Sequence, residues 1–295
     1  MSENMVIERG SLARSGDAAL APTVTTVIEA SKGWVPLRLR EMWEYREVLY
    51  FLIWRDIKVR YRQTAIGAAW ALIQPLMTMV VFSVFFGKLA KMPSDGVPYP
   101  LFALTALVPW TFTSTGVNQS ANSLVNNGHL ITKVYFPRLL VPMARVLAGV
   151  PDIALSFALL LAMIWWYGFL RAGSHLLWIP LLAMLAFFTA LGVGLWLSAL
   201  NVRYRDVQHA VPFLVQIWLF ATPIAYPSSL LPGAWHTVYA LNPMVTIVDG
   251  FRWAMLGTQP PAPASIVAST VVTLTVLITG AFFFRRVERS FADIV

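Results

Sequence analysis

The chain contains no cysteine, so disulfides and thiolate metal sites are excluded, and the redox compartment is left unread. Charge is the next shortage. Only 12% of the 295 residues are charged, while 58% are hydrophobic and the mean hydropathy is +0.65. Soluble domains carry about 25% charged residues. A soluble fold of this size could not cover its surface with so few polar groups, whereas a bilayer tolerates them. The class is therefore a polytopic membrane protein.

Recognisable catalytic signatures are also missing. There is no G-x-x-x-x-G-K-[ST], so the chain has no P-loop of its own, and Gly67, Gly87 and Gly96 stand isolated rather than forming a phosphate cradle. No G-x-S-x-G announces a nucleophilic serine. The four histidines, His129, His175, His209 and His236, fall in separate segments, which argues against a metal site. An apolar targeting run is absent from residues 1–30, which read as a polar tail without a signal peptide.

What is present is a series of apolar runs. A spanning helix needs about 20 mainly apolar residues. Candidates are Ile66–Gly87, Tyr99–Ser123, Leu139–Tyr167, Leu176–Leu200, His209–Tyr226 and Ala264–Phe284. Pro75 in the first leaves a carbonyl without its helical partner, so a kink packed against neighbouring helices is expected. The latter half of the second, "TSTGVNQSANS", suits a wet or protein-lined setting better than lipid. Gly192 and Gly194 in the fourth permit close helix packing.

Between the fifth and sixth runs, residues 227–259 are too apolar for an exposed loop and too broken by prolines for a span. They are expected to fold back as a re-entrant outer hairpin, with Leu231, Trp235 and Tyr239 as gate residues and a static plug as the plainer alternative. The expected fold is all-α: six transmembrane helices, a hairpin and an amino-terminal interfacial helix.

Basic residues set the orientation. On this topology seventeen Lys and Arg lie on the side of the termini and four on the other, with Arg145 unassigned. The positive-inside rule makes the first side cytoplasmic. The same rule accounts for the net charge of +8 without an acidic partner.

The densest basic cluster, "RDIKVRYR" at residues 55–62, sits against the first apolar run. Residues 37–63 read as a helix on which Trp43, Tyr50, Trp54 and Tyr61 form one stripe, while Arg55, Lys58 and Arg62 share the opposite face. That pattern fits a helix lying in the headgroup plane, its cations meeting lipid phosphates. A nucleic-acid patch would need exposed basic residues away from a membrane, so no nucleic-acid partner is expected.

The stretches "LIWRDIKVRYRQTAIGAAWALIQPL", "NGHLITKVYFPRLLVPMARVLAG" and "NPM" resemble ABC-2-type exporter permeases of the polysaccharide branch, the O-antigen, capsule and teichoic acid group. The resemblance covers about residues 37–290 and leaves the tail 1–36 without a role. It implies a homodimer in the bacterial inner membrane, paired with two separate ATPase subunits that hold the ATP and magnesium, with no cofactor in this chain. The transmembrane domain would be 64–290. A coupling helix at 126–138 would contact the ATPase through Asn126, His129, Lys133, Tyr135, Phe136 and Arg138, unless it is an ordinary cytoplasmic loop. The cargo would be a lipid-linked polysaccharide.

Ionisable groups within a span are candidates by default, and here they are Arg145 and Asp152. Two turns apart and about 10 Å along one helix, they need other partners, water or snorkelling rather than a direct bond. An Arg near the boundary and an Asp that fixes packing is the plainer reading. Trp70, Trp110 and Trp218 are candidates for stacking on sugar in a conduit, against a plain role as interface anchors. An exporter of a small drug or lipid, a secondary transporter and a membrane-embedded enzyme remain alternatives.

Overall fold

The computed structural model describes residues 39–62, 69–169, 174–230 and 238–288, and every regular element among them is helical. The tail 1–36 and the gate candidates Leu231 and Trp235 lie outside the described residues. The chain enters through α1 (Leu39–Glu44) and α2 (Arg46–Arg62). Glu47 in the first turn of α2 and Arg60 and Arg62 in its last complement the helix dipole. Trp43, Tyr50 and Trp54 are exposed, and Leu52 and Asp56 are buried on the opposite side.

Helix α3 (Ala69–Phe82) runs on into a π-helical segment, Ser83–Leu89. Pro75 cannot donate to the carbonyl of Ala71 four residues earlier. That carbonyl instead accepts from the Ser156 hydroxyl of a neighbouring helix at 3.4 Å. The helix is thereby tied to its neighbour where its own ladder is broken.

Helix α4 (Tyr99–Ala121) packs against most of the other long helices, and its first half, Leu101–Trp110, is buried throughout. Then come α5 (Ser123–Asn126), α6 (Gly128–Lys133), α7 (Leu140–Leu147) and α8 (Val150–Trp166). The remaining long elements are α9 (Trp178–Arg203), α10 (Val207–Phe220), α11 (Pro243–Leu256) and α12 (Pro263–Glu288). Where α9 crosses α12, a Cβ on Gly192 would lie 2.9 Å from the Leu277 backbone, and one on Gly280 would lie 2.8 Å from the Gly192 carbonyl oxygen. Both positions need glycine because backbone meets backbone there.

Among the described residues four stretches are long and apolar enough to cross a membrane: Ala69–Leu89, Leu140–Trp166, His175–Arg203 and Pro263–Glu288. This is fewer than the six expected from sequence. Helix α4 has the length but carries its polar second half, in which Thr113, Gly116 and Ser120 are buried. Apolar α10 has 14 residues, about 21 Å of helix, against a hydrocarbon core of about 30 Å.

The segment expected as the outer hairpin is described in part, residues 231–237 lying outside the described residues. Its second arm, α11, starts at an Asn242 cap whose side chain accepts from the Met244 N–H, and stops at Gly257 with φ +69°. Helix α11 is buried along most of its length among α4, α9 and α12. Contacts define two ends of the bundle. At one, Arg138 donates to the Glu288 carbonyl at 3.1 Å, and Asn201 donates to Asn122 at 3.0 Å. At the other, Tyr99 donates to the Ala225 carbonyl at 2.7 Å, and Ser229 to Asp95 at 3.1 Å.

Candidate functional site

The functional geometry gathers where α2 meets α7 and α8. Leu49, Leu52, Ile53, Asp56 and Arg60 follow helical spacing, so Asp56 and Arg60 fall on the face α2 turns to the bundle. A charge on such a face needs a buried partner. The Asp56 carboxylate accepts from Arg55 at 2.9 and 3.0 Å and pairs with Arg145 of α7 at 3.2 Å. Arg55 also donates to the Asn127 side-chain oxygen, at the start of α6, at 2.9 Å.

One turn further on, Arg60 pairs with Asp152 of α8, and Tyr61 donates its hydroxyl to the same carboxylate. A second Arg60 nitrogen donates to Gln119 of α4 at 2.6 Å. Burial, then the Asp152 bond and charge, push the Tyr61 phenol up to about 12. It therefore remains protonated, and a donor, throughout the physiological range. The two ionisable groups of the third predicted span, Arg145 and Asp152, do not meet. Each pairs separately with α2, Arg145 with Asp56 and Asp152 with Arg60.

Arg60, Tyr61 and Asp152 close one end of a cavity of about 590 Å³ between α3, α4 and α8. Thr111, Thr115 and Gln119 bring the polar half of α4 to its wall, opposite Gln74 of α3. Trp70, 58% exposed, contributes an indole face. Amid apolar walls of Pro75, Val108, Phe112 and Ile153, these hydroxyls, amides and the indole offer hydrogen bonds and stacking to a polyhydroxylated ligand.

The other two conduit candidates lie elsewhere. Trp110 is buried and packs edge-to-face on Trp218 at 5.7 Å, while Trp218 donates to the Asn242 cap of α11 at 2.9 Å. They join α4, α10 and α11. Of the gate candidates only Tyr239 is described, with its hydroxyl 3.1 Å from that of Tyr226.

Along 126–138, Asn126, His129, Lys133 and Tyr135 are exposed, and Tyr135 reaches 83%. Phe136 departs from the expected contact set, because it is 5% exposed and belongs to the core. Arg138 is half-buried against Glu288. In the interfacial set, Lys58 and Arg62 are exposed, whereas Arg55 and Tyr61 turn inward to Asn127 and Asp152.

Residues 47–256 match the family described as the ABC-2 type transporter. The chain belongs to that family. Over 258 residues it is 30% identical to the O-antigen export system permease protein RfbA of Myxococcus xanthus, covering 86% of this chain and 98% of that one. A Klebsiella pneumoniae protein of the same name is 26% identical over 250 residues, 84% of this chain and 95% of that one. The polysialic acid transport protein KpsM of Escherichia coli is 22% identical over 239 residues, 81% of this chain and 93% of that one. The family match begins one residue into α2 and ends with the last residue of α11. The charged contacts and the cavity of this ABC-2 chain thus lie within it.

Four residues in this geometry escaped the sequence reading: Asp56, Arg60, Gln119 and Arg252. The first two carried a signal in their spacing with Leu49 and Leu52. Arg252 figured only as an outer-side charge, yet it is buried, 2% exposed. Its guanidinium donates to the carbonyls of Pro223 at 2.6 Å, Ile224 at 2.9 Å and Phe102 at 3.4 Å, and lies 3.5 Å from the centre of the Phe102 ring. Its nearest sequence signal is its place just beyond a long uncharged run.

Proposed function

We propose that this chain is the permease subunit of an ATP-driven exporter that moves a lipid-linked polysaccharide outward across the bacterial inner membrane. The observation that carries the reading is near end-to-end similarity to permeases named for O-antigen export, 98% of the Myxococcus xanthus protein being covered. The cavity supports it, since polar groups within an otherwise apolar bundle need a polar occupant or water. Two copies of the chain would build the path at their interface, because a single subunit cannot easily surround a hydrated glycan.

Two separate ATPase subunits would supply ATP and magnesium chemistry, docking on exposed Tyr135 and its neighbours in the helix-in-groove manner. In the membrane the chain would make six crossings, with both termini cytoplasmic. The segment around α11 and Tyr239 would serve as an outer gate.

The test is a deletion strain complemented with this chain. Polysaccharide that accumulates inside the deletion strain should reach the surface on complementation, and an ATPase should co-purify with the chain from native membranes. Surface polysaccharide that is normal without the chain would sink the reading.

A further inference from the structure

A groove between α9, α11 and α12 takes no part in the export scheme. It encloses about 350 Å³, within the usual range of a ligand pocket, and shares no helix with the cavity between α3, α4 and α8. Leu182, Leu185 and Phe188 of α9 face Ile266 and Leu274 of α12 across it, and Gly250 of α11 completes it. The threonines in its wall have already used their hydroxyls. Thr270 donates to the Ile266 carbonyl at 2.8 Å, and Thr273 bonds Thr189 at 3.1 Å. What remains is hydrocarbon surface, which suits an apolar occupant. Both α9 and α12 are long and apolar enough to cross the membrane, and Leu181, Met184 and Leu274 of the groove are exposed. The groove is therefore continuous with the surface that these two spans turn to lipid.

One end of the groove is different. There Trp253 lies with ring centres 4.8 Å from His175 and 6.0 Å from Trp178. Trp196 and Trp218 donate their N–H groups to Thr279 and Asn242. The indoles of Trp178 and Trp253 have no hydrogen-bond partner among the described residues. Two unused donors at the head of a hydrocarbon groove match an amphipathic molecule with an anionic head. We propose that the groove holds one acyl chain of a resident glycerophospholipid whose phosphate is met by Trp178 and Trp253. The bilayer rather than the exported cargo is its source, because the groove opens to lipid and lies apart from the cavity assigned to glycan. These aromatics stand at the end of α9 opposite Arg203, which on the proposed orientation is the outer leaflet. Binding itself does not depend on that orientation.

The experiment titrates the full chain in detergent micelles with phosphatidylethanolamine carrying a diazirine on one acyl chain. Light should label Leu185 and Leu274 saturably. Val267 and Val271, exposed on α12 outside the groove, should take up label only in proportion to the probe added. Trp178→Phe keeps the ring and removes the N–H, and should weaken binding about tenfold, the loss expected for one hydrogen bond to a charged group. Leu274→Trp fills the groove from an exposed position and should abolish saturable labelling of Leu185. If that variant fails to fold, Met184→Trp fills the groove from the facing wall and should give the same loss.

Equal, unsaturable labelling at groove and control positions would mean bulk lipid only and overturns the proposal. Unchanged affinity in Trp178→Phe overturns the phosphate contact. Displacement of the probe by a polyprenyl phosphate, but not by unlabelled phosphatidylethanolamine, would give the groove to the cargo's lipid and also overturns it. So would a cross-link between two Met184→Cys chains that excludes the probe, since a second copy would then be the occupant. None of these results bears on surface polysaccharide, so the export reading stands or falls separately.

Discussion

Arg252 shows how much one side chain can organise. Helix α10 ends before the Thr222–Ala225 turn, leaving carbonyls there without helical donors. The guanidinium supplies donors to two of them, stacks on Phe102, and lies 3.7 Å from Asp249. Lysine could not reproduce this, since a compact ammonium lacks the planar fork that reaches several acceptors while stacking on a ring. Arg252→Gln should destabilise the fold by on the order of 3 kcal/mol, because buried acceptors and a carboxylate lose their partner. Thermal unfolding in detergent measures this. A midpoint unchanged from the parent would contradict the role given to Arg252.

Helices meet here through what they omit as much as through what they carry. The α9–α12 crossing depends on Gly192 and Gly280, whose missing Cβ atoms let backbone approach backbone. Gly192→Val should cost at least about 1–3 kcal/mol, the usual overpacking penalty, because the Leu277 backbone cannot move aside as a side chain could. Denaturation against Gly192→Ala as a graded control gives the measurement, and the valine must be the worse of the two.

In the segment after α6, adjacent aromatics have opposite settings: Tyr135 is 83% exposed and Phe136 is 5% exposed. Tyr135→Asp should therefore leave folding intact and reduce export, whereas Phe136→Asp should reduce the amount of folded protein. Size-exclusion profiles beside export assays separate the two outcomes. Equal behaviour of both variants would remove the distinction between a docking surface and a core anchor.

At the scale of the whole molecule, the contacts place residues 90–98, 221–230 and 257–262 toward one end, and the α5–α6 segment, Arg203 and Glu288 toward the other. Arg138, Arg203, Arg285 and Arg286 lie at or within a turn of the contacts that define the second end. The positive-inside rule would make that end cytoplasmic, which cysteine labelling tests. Cysteines replacing Ser94 and Gln208 should thus differ in intact cells, the first reacting with an impermeant maleimide and the second not; the reverse pattern would invert the topology.

The first end also tests the proposed gate. Tyr226 and Tyr239 meet there through their hydroxyls. A cleavable bismaleimide joining cysteines at these two positions should stop export, and cleavage should restore it. Export that continues across a verified cross-link would leave this region as scaffold.

Several features followed from sequence alone because they depend on local chemistry or on solvent. The charge deficit required a bilayer, and Pro75 required an outside donor for the Ala71 carbonyl. Tertiary structure alone decided which partners those features found. Ser156, 81 positions from Pro75 in the chain, supplies that donor. Asp152 pairs with Arg60 rather than with Arg145 on its own helical segment, because helix spacing separates the latter two while packing brings α2 alongside. Polar composition marked the second half of α4 as unsuited to lipid, but gave no way to divide its residues between core and cavity. That division depends on helices distant in sequence, and a one-dimensional pattern fixes only the face a side chain occupies, not what packs against it.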